Sequence, residues 1–112
     1  LLRLVLFLEE EGLKGDEELQ KELGKAFLDG LFEACRMARE EGKVYRVFRC
    51  RFRSREKALV FLEQIKHAST HIQVNMLSLE KEGDFWVLEF EKVFLNMTGL
   101  LGYLLKGGSL ID

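Results

Sequence analysis

Five arginines, Arg46, Arg49, Arg51, Arg53 and Arg55, crowd residues 44–55, which read VYRVFRCRFRSR. In an extended strand successive side chains point to opposite faces. Arg49, Arg51 and Arg53 then share one face, and Phe48, Cys50 and Phe52 share the other. A row of guanidinium groups holds phosphates, and sheets that bind RNA add exposed aromatics on which bases stack. Tyr45 alone falls on the arginine face, too little for a stacking platform. Residues 85–94 offer a counterweight, with Trp86, Leu88 and Phe90 on one face and Val87, Glu89 and Glu91 on the other. If the two strands are neighbours, the arginines face carboxylates across the sheet. Each such pair contributes ~0.2–1 kcal/mol, with exposed pairs at the low end. The row is then a neutralised solvent face.

Other chemically capable residues form no working set. Glu63, His67 and His71 are spaced four apart, as helical metal ligands can be, but His71 falls beyond the expected helix end. The serines lack the glycine-flanked elbow of a nucleophile. Cys35 and Cys50 match neither a metal spacing nor a CxxC pair and are expected as buried free thiols. Gly99, Gly102, Gly107 and Gly108 match no phosphate-cradling spacing. No catalytic residue, metal or cofactor is expected, and the chain reads as a non-enzyme.

The elements that position these residues follow from periodicity. The chain has 112 residues, 47 % apolar and 32 % charged, with a net charge of −2 and no proline. These values suit one soluble domain over residues 1–112 and argue against a generally polyanion-binding surface. Residues 2–8 are apolar apart from Arg3, and either a strand or a helix end accommodates them. They fall far short of the ~20 residues of a membrane span. The chain starts without methionine and reads as a piece of a longer protein.

Residues 9–15 suggest a turn. Asp16 is a plausible N-cap of a long helix that runs to Gly42. Leu28, Phe32, Cys35 and Met37 widen its apolar face beyond one stripe. A strand over 43–52 follows, then a helix capped by Ser54 with Ala58, Phe61, Leu62, Ile65 and Ala68 inward. The strand over 71–81 carries Ile72, Val74 and Met76 on one face, with a bulge expected where Leu77 and Leu79 take over. Glu82-Gly83-Asp84 reads as a hairpin turn, and Asn96 caps a short helix over 97–105.

This order predicts an α+β, ferredoxin-like β-α-β-β antiparallel sheet with helices on one face, a long N-terminal helix and a short C-terminal one. The last strand lies between the other two. The apolar excess of the long helix and of the C-terminal segment points to a partner surface of Leu28, Phe32, Cys35, Met37, Leu100 and Leu104.

Residues 45–96 resemble the small periplasmic domain of PilO- and GspM-type inner-membrane assembly proteins. The likeness lies in the helix pattern ALVFLEQI at 58–65, then residues 72–79 and 85–90. That resemblance implies a non-enzymatic module of a type IV pilus or type II secretion complex that forms a homodimer or related heterodimer. It implies the periplasmic face of the inner membrane; without it, a cytoplasmic protein is expected. The alternative is a ferredoxin-like RNA-binding module using Arg46, Arg49, Arg51, Arg53 and Arg55.

Overall fold

The computed structural model describes residues 25–111. Six elements follow in order: helix α1 (Lys25–Glu40), strand β1 (Val44–Phe52), helix α2 (Arg55–Lys66), strands β2 (Ile72–Glu82) and β3 (Phe85–Phe94), and helix α3 (Met97–Leu105). The fold is a small α+β arrangement of a three-stranded antiparallel sheet and three helices among the described residues. It divides into two compact units, Tyr45–Val93 and the remainder on either side.

Within Tyr45–Val93 the strand order is β1-β3-β2, so β3 is central, as the sequence pattern required. Phe48 stacks on Phe90 at 5.2 Å while Arg53 lies over Phe85 at 5.6 Å. Rising numbers on β1 thus meet falling numbers on β3, the mark of antiparallel neighbours. Helix α2 begins where the Ser54 hydroxyl accepts a hydrogen bond from the Lys57 amide at 3.2 Å, satisfying one of the free donors of the first turn. Its apolar stripe covers one sheet face. Ala58, Leu62, Val74, Leu88 and Phe90 form the buried centre, with Phe48, Cys50, Phe52, Phe61, Ile65, Ile72 and Leu79 packed around it. Ala68, expected in that stripe, is exposed, because the helix ends at Lys66 with His67 as its cap.

The alternation of β2 changes phase midway. Ile72 and Val74 pack inward, Met76 and Leu77 are both exposed, and Leu79 packs inward again. Even-numbered residues face the core before this point and odd-numbered ones after it, which is what one inserted residue does to a strand. Gly83, at φ +61°, makes the hairpin turn in a conformation that side chains rarely adopt.

In the other unit, α1 buries Leu28, Leu31, Ala34, Cys35 and Met37. Gly30 lets α3 come close: a Cβ there would sit 2.7 Å from Leu104 Cδ2. Asn96 caps α3 by accepting from the Gly99 amide at 3.1 Å. Tyr103 packs against Phe94 with ring centroids 4.9 Å apart, and its hydroxyl donates to the Ser109 carbonyl at 2.7 Å. Cys35 and Cys50 are free thiols.

The long N-terminal helix is corrected: α1 spans 16 residues, four and a half turns at 3.6 residues each. The expected cap at Asp16, the turn at 9–15 and the ambiguous residues 2–8 lie outside the described residues. On the outer face of α1, Arg36 binds Glu33 and, through Nη1, Glu40 at 2.6 Å. These bonds hold the Glu33 carboxyl below its ordinary pKa, chiefly through the hydrogen bond from Arg36. A lowered folded pKa adds stability that is present above the unfolded value and lost as pH falls through the folded one. Glu33→Gln should therefore cost a little stability near neutrality and none in acid, read as urea midpoints at the two pH values. An equal loss at both would contradict the bond's role.

Candidate nucleic-acid interface

The face of the sheet opposite α2 carries the arginine row. β1 lies at the sheet edge. Arg49 and Arg51 are exposed along it and Arg53 just past its end, alternating with the half-buried Phe48, Cys50 and Phe52. The strand alternation read from the sequence therefore holds at each of these positions.

Each arginine is held differently. Arg49 reaches over the sheet to Glu82 on β2, its Nη2 donating to Oε1 at 2.9 Å and Oε2 at 3.1 Å. Arg53 lies over the Phe85 ring, a cation–π contact that fixes its direction. Arg51, between them, is exposed and makes no ion pair or hydrogen bond among the described residues. Arg55 opens α2 and is exposed, whereas Arg46 is half-buried and engaged in contacts of its own.

The carboxylate expected opposite the row is thus corrected in identity. Glu89 and Glu91 lie on the neighbouring strand, but Arg49 binds Glu82, and Glu91 accepts from Asn75 Nδ2 at 3.1 Å. A shallow recess beside the row is lined by Arg49, Ser78, Glu80, Glu82, Val87 and Glu89, with Val87 only 5 % exposed. The phase change in β2 explains it: it turns Ser78, Glu80 and Glu82 onto the arginine face. Glu82 was legible once the bulge was continued past Leu79, but its place beside Gly83 had assigned it to the turn.

The face is therefore divided, with cations along the β1 edge and carboxylates toward β2. Tyr45–Val93 carries nine basic against seven acidic side chains, a net of +2, while the whole chain is at −2. The other sequence-selected sets fare differently. Glu63 contacts His67 at 3.4 Å, but His71 lies beyond the helix end, and no group of three or more His, Cys, Asp or Glu able to hold a metal occurs among the described residues. Of the six apolar surface candidates, Leu28, Cys35, Met37, Leu100 and Leu104 are buried within the chain and Phe32 is 37 % exposed. No described helix is long and apolar enough to cross a membrane.

Comparison with known proteins decides among these readings. Residues 1–108 match the family model for the ligase Pab1020 C-terminal region. The chain belongs to that family. A solved structure from Aquifex aeolicus, assigned by its name as an ATP-dependent DNA ligase, is similar at 61 % identity and a TM-score of 0.62. The match covers 96 % of this chain and 29 % of that one, so this ligase C-terminal region spans under a third of its relative's length. No curated protein matches.

These findings overturn the likeness to pilus and secretion proteins and the assembly module that forms homodimers or heterodimers; the periplasmic setting hung on that likeness alone and loses its ground. They also overturn the non-enzymatic reading, since the family is part of a ligase. The RNA-binding alternative gains no ground, the relative's name specifying DNA. The earlier likeness rested on an apolar helix over a hairpin. Any βαββ core needs that pattern to bury its sheet, so it identifies packing and not function.

Proposed function

We propose that this chain is the C-terminal region of an ATP-dependent DNA ligase, and that its β1 arginines hold the phosphate backbone of the DNA. Sealing a strand requires the enzyme to grip a polyanion in register, and guanidinium groups on a rigid strand do this without reading sequence. One observation carries the reading: Arg51 is open to solvent and makes no ion pair among the described residues, with Arg49 and Arg53 posed on either side of it. The family match and the ligase relative supply the context. In this reading Tyr45–Val93 is a ferredoxin-like unit, supported by its β1-β3-β2 order and by α2 on one face. Its role is positioning, with no bond made or broken by its residues.

A photo-crosslinking amino acid tests the face used. Val47 is exposed on β1 on the side of Arg49 and Arg51, whereas Val60 is exposed on α2. In the full-length protein mixed with nicked duplex DNA, a crosslinker at Val47 should capture DNA and one at Val60 should not. Capture from Val60 alone, or from neither, would refute the reading.

A further inference from the structure

We infer that Glu82 is an internal competitor for DNA, occupying Arg49 as a phosphate would and setting how tightly the arginine edge binds; this rests on the DNA reading above. Both carboxylate oxygens of Glu82 lie within hydrogen-bond distance of one Arg49 nitrogen, at 2.9 and 3.1 Å. A carboxylate in this pose presents the oxygens that a phosphate would present to the same guanidinium. Both side chains are about half exposed, 56 % for Arg49 and 50 % for Glu82. An ion pair so wet is weak, so an incoming phosphate can displace it at little cost.

The neighbours fit a gate. Val87 beneath the recess is apolar and buried, and contributes no hydrogen bond from its side chain to either partner. Glu80 and Glu89 line the same recess, so an arginine released from Glu82 swings away from carboxylates when it turns toward the β1 edge. Arg51 has no such competitor among the described residues. Of the neighbours Arg49 and Arg51, one is therefore available as it stands and the other must be won from Glu82. A face built this way suppresses loose association with any polyanion and engages fully only where a phosphate is held against it.

The experiment is a double-mutant cycle in the full-length protein, with a labelled nicked DNA duplex as probe. Glu82→Gln frees Arg49 for one more phosphate. It should tighten binding about fivefold and steepen the slope of log affinity against log salt by about 0.9. Glu80→Gln removes the same charge from the same recess without touching the bond and should change affinity less than about twofold, as expected for an exposed carboxylate that makes no ion pair with Arg49. In an Arg49→Gln background the gain from Glu82→Gln should vanish. Equal gains from Glu82→Gln and Glu80→Gln, or a gain that survives Arg49→Gln, would overturn the gate by reducing it to general charge. Arg51→Glu in the same assay separates the two readings. If it weakens binding while Glu82→Gln gives no gain, the gate alone falls; if it binds as the parent does, the DNA reading falls and the gate with it.

Discussion

Phe90→Ala should destabilise the protein by about 3–5 kcal/mol, the range for removing a buried phenylalanine. The ring is only 2 % exposed on the central strand. It stacks on Phe48 at 5.2 Å and meets Phe61 edge-on at 6.0 Å. Its loss leaves a cavity between β3 and α2 and deletes two aromatic pairs, each worth ~0.5–1.5 kcal/mol beyond burial. A cavity bounded by a helix and two strands cannot collapse without moving the sheet, which places the cost toward the upper end. Urea denaturation should show a lower midpoint with no increase in slope. A loss under about 1 kcal/mol would mean that this cluster is not the core of Tyr45–Val93.

Arg51→Glu should weaken binding of nicked duplex DNA by the full-length protein at least about tenfold near 0.1 M salt. The size follows from counterion release. Each phosphate contact contributes ~0.9 to the salt slope, so one lost contact is about eightfold at that concentration, and the reversed charge adds repulsion. The side chain is exposed, has no carboxylate or hydrogen-bond partner among the described residues and supports no packing. Folding should therefore be unchanged within ~0.5 kcal/mol. This contrast with Phe90→Ala matters: one substitution should lower stability, the other only binding. Glutamate is preferred to alanine because it keeps a long side chain on the strand while inverting the interaction.

Much of the fold was legible in the sequence, and the reasons are local. Alternation in Val44–Phe52 and Phe85–Phe94 identified both strands and their inward residues. Ser54 and Asn96 marked helix starts because their side chains can satisfy orphan amides. The central place of β3 followed from the hairpin and the crossover. Apolar residues at helical spacing continue upstream of Lys25, and spacing alone does not mark a boundary, so the expected start at Asp16 rested on a cap that lies outside the described residues.

The site was half legible. The arginine row and its face came from alternation, but its partner did not. Arg49 chose Glu82 over the nearer-looking Glu89, because the phase change in β2 swings Glu82 onto that face. Pairing by strand adjacency ignores such slips. Function was the least legible. In the proposed reading, a unit that positions a polyanion for chemistry done elsewhere needs no nucleophile, metal or base of its own. Counting catalytic residues therefore led to a non-enzyme. The family match, not any spacing in the chain, corrected it.

The most direct test of the β1 edge as a DNA-backbone contact is the salt dependence of binding to nicked duplex DNA, measured on the full-length protein and on Arg51→Glu. Affinity should fall steeply with salt in the parent, with a slope shallower by about 0.9 or more in the variant. Coincident slopes, with affinities equal across the salt range, would contradict it.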